Sequence, residues 1–328
     1  MLFCISLSYD GSSFCGWQVQ PQSPSVQQCL EEALSRLCGT AVAVTGAGRT
    51  DTGVHAVNYI AHFALEGSLP FPQPDFCYKL NAILPRSVVV HSVLPVPDDF
   101  HARFSARRRS YTYFIHRQKD PFLEAWSWRC GFPGLDFSAM NRAAQHLLGT
   151  HDFSCFEKTG GANKTSLCTV YEAYWTPYTP SHVQVLGYGA PLPEGIVSET
   201  CGHPRLVSAN SEGYGAKLEE GVVSETCGHP RPHKREGPAA AGSGRGRSEA
   251  KAVSDTIPSG NEAPYWYFRI TADRFLRNMV RATVGTLIEV GRGKHPEEWV
   301  AELIASGTRS DAGESVPGHA LFLNRVVY

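Results

Sequence analysis

The chain has 328 residues, of which 42% are hydrophobic and 19% charged, proportions that suit a globular protein of about two ordinary domains and exclude a fibrous or low-complexity chain. Its 30 lysines and arginines stand against 31 aspartates and glutamates, so a uniformly basic surface is excluded and only local patches can attract a polyanion. The 10 cysteines are scattered without a Cys-x-x-Cys and no apolar run approaches a membrane span, so neither a disulfide framework, a zinc site nor a membrane segment is expected.

Leu2 to Tyr9 alternates as a strand does, leaves no room for a leader peptide, and with the reduced cysteines points to the cytoplasm. Asp10-Gly11-Ser12-Ser13 reads as a turn. Ser25 is placed to cap a helix from Val26, with Val26, Leu30, Ala33, Leu34 and Leu37 along one face and Gly39 ending it. The apolar run Ala41 to Thr45 then leads into Gly46–Ala56, and the alternating run Val57 to Phe63 leads out. Strand, helix and two strands predict a small α/β unit with that loop at its edge.

The loop reads Gly-Ala-Gly-Arg-Thr-Asp-Thr-Gly-Val-His-Ala. Glycines at this density open backbone conformations closed to other residues and allow another molecule to approach the main chain. Asp51 is its only carboxylate and Arg49 stands two residues before it. A glycine-rich turn without chemistry would need neither side chain.

From His101 to Lys119 the chain carries Arg103, Arg107, Arg108, Arg109, Arg117 and Lys119 with no acidic residue, interleaved with Phe104, Tyr111, Tyr113 and Phe114. Such a stripe suits a nucleic acid, with Arg103, Arg107, Arg108 and Arg109 as phosphate contacts. Ser110 to His116 is a predicted strand, with Tyr111 and Tyr113 on one face. Phe137 to Leu148 has helical spacing ended by Gly149, and Thr169 to Tyr174 reads as a strand.

From about residue 187 to 262 the composition turns to Gly, Pro, Ser and Glu, and the segment 194–205 recurs as 220–231 with a Cys-Gly-His in each copy. A disordered, duplicated insertion is the expectation, because so few apolar residues cannot offset the entropy of ordering the chain. Tyr265 to Thr271 is a predicted strand. Asp273 is expected to cap a helix from Arg274 to Glu289, with Phe275, Met279, Ala282, Thr283 and Leu287 toward the core and Arg277 and Arg281 one turn apart. A last strand runs to Tyr328.

Asp51-Thr52-Gly53 spells the triplet of aspartic proteases, which need two carboxylates sharing a proton. No second triplet occurs; Asp311-Ala312-Gly313 comes nearest. The longer string Gly48 to Ala56 instead resembles the signature of the tRNA pseudouridine synthase A (TruA) family. The resemblance continues through Tyr9-Asp10-Gly11, Gly16-Trp17-Gln18, Ser25-Val26-Gln27, Leu80 to Pro85, Arg109-Ser110-Tyr111-Thr112-Tyr113, His151 to Phe156, and Met279-Val280-Arg281 with Gly285. Near the end, Ala320-Leu321-Phe322-Leu323 stands where many members have Gly-Leu-x-Leu. Outside the insertion it covers nearly all of residues 2 to 328.

That resemblance implies an α/β (α+β) fold of two similar units with antiparallel-rich sheets around a central RNA-binding cleft. The units would be residues 1–106 with the catalytic loop and 107–328 interrupted by the insertion. It implies isomerisation of uridine to pseudouridine in the anticodon stem-loop of tRNA, at positions 38 to 40, with no metal or redox cofactor. It implies a homodimer with tRNA as the partner. Asp51 would be the nucleophile, Arg281 its ion-pair partner, and Tyr111 the ring that stacks on the base and takes the C5 proton. Arg49 would fill the space the base vacates, and Leu321 would pack on its other face. A non-catalytic RNA-binding protein of the same fold is the alternative; it would have no use for Asp51 together with Arg281.

Overall fold

The computed structural model describes residues 1–158, 160, 165–186, 205–207, 217–219 and 261–328. Residues Met1–Thr179 and Thr256–Tyr328 form one compact unit and Pro180–Asp255 a second. The main unit opens with β1 (Leu2–Tyr9), whose Phe3, Ile5, Leu7 and Tyr9 are buried in strict alternation. Helix α1 (Val26–Cys38) follows as expected. The Ser25 hydroxyl accepts from the Gln28 amide at 3.2 Å, and Gly39 ends the helix in the left-handed region at φ 71°. Then come β2 (Val44–Gly46), β3 (His55–Ala64), α2 (Gln73–Ile83) and β4 (Val88–Val96).

The second half of the main unit starts with β5 (Arg108–His116), β6 (Trp128–Arg129), α3 (Phe137–Gln145), β7 (Gly149–Asp152) and β8 (Leu167–Pro177). The smaller unit contributes α4 (Ser181–Leu186) and an antiparallel pair, β9 (Arg205–Val207) with β10 (Lys217–Glu219). The rest of the duplicated stretch, both Cys-Gly-His copies included, lies outside the described residues. The compositional boundary overshoots at its far end. Asn261 belongs to the main unit, where its Oδ1 accepts from the Phe137 amide at 2.9 Å and its Nδ2 donates to Asp136 at 3.1 Å. The chain closes with β11 (Tyr265–Ala272), α5 (Met279–Gly291), α6 (Trp299–Ser306) and β12 (Leu321–Val327).

One sheet runs through the main unit in the order β4-β1-β3-β12-β5-β11-β8-β7, with β2 on β3 and β6 on β5. Its pairs are antiparallel except β12 with β3 and β5 with β6. The two expected units thus share a continuous sheet, and the last strand of the chain joins them. On one side of β12, Phe322 and Leu323 pair with His55 and Ala56; on the other, Leu321 pairs with Tyr113 and Leu323 with Tyr111. This insertion brings the end of the Gly46–Ala56 loop beside the strand that carries the two tyrosines.

The third predicted helix starts later than its sequence suggests. Asp273 does not cap it; its Oδ1 accepts from the amides of Thr169 on β8 and Arg274, at 2.8 and 2.7 Å. A turn follows, Asn278 takes a left-handed φ of 66°, and α5 begins at Met279. Arg277 therefore lies outside the helix, and Phe275 packs from the turn. Gly285 lets another segment cross α5 closely, since a Cβ there would sit 1.7 Å from the Glu314 carbonyl oxygen. The crossing sets the path of residues 314–317 over the first turns of the helix. Ala320, in place of the family's glycine, sits buried in a 3-10 turn without a positive φ, so the methyl group meets no backbone strain.

Candidate active site

Side chains from several elements hold the Gly46–Ala56 loop. On entry, the Glu31 carboxylate accepts from the Val44 amide at 2.8 Å and the Gln27 amide donates to the Val44 carbonyl at 3.0 Å, so α1 brackets β2. The Tyr59 hydroxyl donates to the Gly48 carbonyl, and the Trp17 ring stacks on Tyr59 with centroids 4.2 Å apart. The Tyr9 hydroxyl meets the Thr50 hydroxyl at 2.9 Å in a buried contact. Gly16, at φ 94°, runs directly beneath, and a Cβ there would sit 2.3 Å from the Thr50 carbonyl oxygen. That contact lets the Trp17 amide donate to the same carbonyl at 3.2 Å. The backbone before Asp51 is thereby fixed while the carboxylate itself remains 30% exposed.

Arg281 reaches Asp51 from the first turn of α5, with Nη1 3.4 Å from Oδ2. Its Nε donates to the Val316 carbonyl at 2.7 Å, which orients the guanidinium, and the Tyr113 hydroxyl holds the next carbonyl, Pro317, at 3.0 Å. A partly exposed ion pair at this distance contributes little to stability, about 1 kcal/mol. Its consequence is chemical: it places a fixed cation beside one exposed carboxylate.

Tyr111 is 8% exposed and meets Phe275 edge-on, with ring centroids 5.1 Å apart. Burial pushes its phenol up to about 12, with Arg109 lowering and Asp51 raising it, so the Asp51 charge reaches this ring. Leu321 and Leu323 are buried beside Tyr113 and Tyr111 in the register of β12 and β5. Arg49 is exposed and makes no hydrogen bond or ion pair among the described residues. Asp51, Arg281, Tyr111 and the β12 leucines are thus assembled around one point of the sheet, while Arg49 is exposed two residues before Asp51.

The basic stripe divides in two. Arg103, Arg107 and Arg108 are exposed; the Arg108 guanidinium lies 4.2 Å from the Tyr171 ring centroid and that of Arg103 5.7 Å from Phe104. Arg109, expected to contact phosphate with them, is buried and its donors are directed at backbone carbonyls. The run of arginines read as one surface because sequence spacing does not reveal that β5 begins at Arg108 and turns the next side chain inward.

His55 is a site residue that the sequence reading left without a role. Its Nε2 donates to the His319 carbonyl at 2.8 Å, its Nδ1 lies 3.1 Å from the Gly11 amide and 3.0 Å from Asp10, and its ring stacks on Phe322 at 4.5 Å. Burial pushes the imidazole pKa down, against the opposing pull of the His319 carbonyl and Asp10. β3 begins at His55, inside the motif, whereas alternation in the sequence starts the strand at Val57. Asp311, the nearest candidate for a second protease carboxylate, accepts from the Thr308 amide and hydroxyl at 2.8 and 2.7 Å in an exposed turn.

Residues 5–105 and 143–328 match the profile of the tRNA pseudouridine synthase family. The tRNA pseudouridine synthase A of Porphyromonas gingivalis is 36% identical over 99% of this chain and 96% of its own length. Those of Parabacteroides distasonis and Burkholderia multivorans are 36% and 30% identical, over 99% and 100% of this chain and 95% and 90% of their own lengths. The chain belongs to the tRNA pseudouridine synthase family. Of the residues gathered at the site of this family member, Arg49, Asp51, Arg281 and Leu321 fall inside the profile match, while Tyr111 and the run Arg107 to Arg109 fall between its two segments. No helix of the described residues is long and apolar enough to cross a membrane.

Proposed function

We propose that this chain isomerises uridine to pseudouridine in the anticodon stem-loop of tRNA, at positions 38 to 40, with Asp51 as the nucleophile. As the bond from ribose C1′ to N1 breaks, the Asp51 carboxylate bonds to C1′; that bond breaks in turn as C1′ bonds to C5, the C5 proton leaves and N1 gains one, so substrate and product are isomers and the carboxylate is returned. The base must first leave its stack at a cost of a few kcal/mol. Arg49, exposed and unpaired among the described residues, fills the space it leaves. Arg281, oriented by the Val316 carbonyl, holds the Asp51 carboxylate in place as it engages the nucleoside. Tyr111 and Leu321 flank the flipped base. Burial pushes the Tyr111 phenol up to about 12, so the ring meets the base in its neutral form.

Arg103, Arg107 and Arg108 contact phosphates, residues 1–106 and 107–328, the latter interrupted by the insertion, act as two halves around the shared sheet, and the enzyme works as a cytoplasmic homodimer with tRNA spanning both subunits. The observation that carries the reading is the meeting of Asp51 with Arg281 across 230 residues of sequence. Asp51→Asn keeps the shape of the side chain and removes its nucleophilic charge. The expected result is normal affinity for unmodified tRNA with no pseudouridine formed. Turnover by pure Asp51→Asn protein would end this reading, and wild-type protein that binds tRNA without forming pseudouridine would leave the non-catalytic one.

A further inference from the structure

Arg109 stands two residues before Tyr111 on β5 and projects from the same face. Its guanidinium is buried, and among the described residues no carboxylate pairs with it. Instead it donates to backbone carbonyls of three separate segments. Nε and Nη2 reach Ala47 at 3.2 and 2.9 Å, Nη2 reaches Arg103 at 2.6 Å, and Nη1 reaches Asp273 at 2.7 Å, with a longer contact from Nη1 to Ala106 at 3.5 Å. Ala47 lies in the loop that carries Asp51. Asp273 opens the turn that packs Phe275 against Tyr111 and leads into α5 and Arg281. Arg103 belongs to the exposed basic segment.

We infer that Arg109 is a positioning residue of the reaction, whose one planar cation sets the spacing between the Asp51 loop and the turn that delivers Arg281. The inference rests on the reading of Asp51 as nucleophile. Only arginine offers five donors in a fixed fork; a lysine presents three donors from a single nitrogen and cannot span carbonyls on opposite sides. The bound carbonyls supply the partial negative charge that a buried cation needs, which accounts for the absence of a carboxylate. A displacement of about 1 Å between reacting groups lowers turnover by roughly 100-fold, so loss of this strut acts on chemistry although Arg109 touches neither Asp51 nor Arg281.

The test compares wild type, Asp51→Asn and Arg109→Lys on an unmodified anticodon stem-loop. Arg109→Lys is expected to lower kcat by about 10- to 100-fold with KM and the salt dependence of binding unchanged. A raised KM with a salt slope smaller by about one and an unchanged kcat would instead make Arg109 a phosphate contact. A lower melting temperature with unchanged kcat would make it a support for the strand alone; either result overturns the inference. If Asp51→Asn is inactive while Arg109→Lys turns over normally, only this inference falls; turnover by Asp51→Asn removes the nucleophile reading first. Should the lysine variant not fold, hydrogen exchange on wild-type protein carries the test. Residues 47–50 and 273–275 are expected to open together with one free energy, and independent opening would sink the strut.

Discussion

In the N-terminal half, α2 docks on β4 through Asn81, whose amide donates to the Val90 carbonyl and accepts from the Val90 N–H, both at 2.8 Å. In the C-terminal half, α3 docks on β8 through Asn141, which brackets Trp175 in the same way at 3.0 and 2.7 Å. The halves share a plan for joining helix to sheet and differ in how each presents its member of the ion pair. Asp51 stands on irregular backbone whose carbonyls are tied one by one by Arg109, Tyr59 and Trp17. Arg281 stands on a helix that is almost wholly buried, and its guanidinium is oriented by the Val316 carbonyl. A loop without its own hydrogen-bond ladder depends on distant side chains for its shape; a helix carries its ladder with it. Damage behind the loop should therefore appear in turnover, and damage behind the helix in stability.

The largest expected effect lies where the halves meet. Tyr111 belongs to the first strand of the C-terminal half and faces the loop of the N-terminal half. Tyr111→Phe keeps the stacking surface, worth about 1–3 kcal/mol per base, and loses the hydroxyl. Near-normal tRNA affinity with a large loss of pseudouridine formation is expected. Ordinary turnover would reduce Tyr111 to a platform for the base.

The comparison itself is tested by Leu287→Ala and Tyr59→Phe. Leu287 is fully buried on α5, so its truncation should cost about 2–5 kcal/mol and lower the melting temperature, with kcat unchanged while the protein is folded. Tyr59→Phe removes the tie to Gly48, which should cost only about 0.5–1.5 kcal/mol yet lower kcat. Equal kcat losses in the two variants would break the distinction between loop and helix.

The shared plan predicts a smaller, matched pair. Asn81→Ala and Asn141→Ala each leave a carbonyl and an amide of a strand without partners, and each should lower stability by about 1–3 kcal/mol without changing kcat, as read by urea unfolding beside steady-state turnover. A marked difference between them would show that the two docks are not equivalent.

The smallest effect concerns pH. Burial holds His55 below its ordinary pKa of 6.5, so as pH falls through that value the unfolded chain takes up a proton that the native state resists, and stability declines. His62 and His116 shift in the same direction. Melting temperature should therefore fall between about pH 7 and 5.5, and His55→Gln should make that fall shallower without abolishing it. A slope identical to wild type would place the native His55 pKa near the unfolded one.

How much could be read before folding depended on range. Helix α1, strand β1 and the strands near Tyr265 and Leu321 were legible, because caps and the periods of helix and strand are properties of neighbouring residues. The start of α5 was not. The Asp273 carboxylate that resembles a cap is taken by the Thr169 amide 104 residues away. Arg109 was misread for a similar reason: nothing local marks it apart from Arg107 and Arg108, and only the arrival of three other segments turns it into a buried strut.

For the site as a whole, the sequence alone determined which groups were available: one carboxylate among glycines, an arginine on a helix, a tyrosine on a strand and a leucine near the end of the chain. Local composition decides such things, since a glycine-rich loop needs no partner to be a glycine-rich loop. The tertiary structure decided which of these groups meet. Insertion of β12 between β3 and β5 places the loop end, the tyrosine strand and the leucines side by side, and the close crossing of residues 314–317 over α5 turns Arg281 toward Asp51. Contacts of that separation follow from the packing of a whole sheet, which no window of the sequence contains.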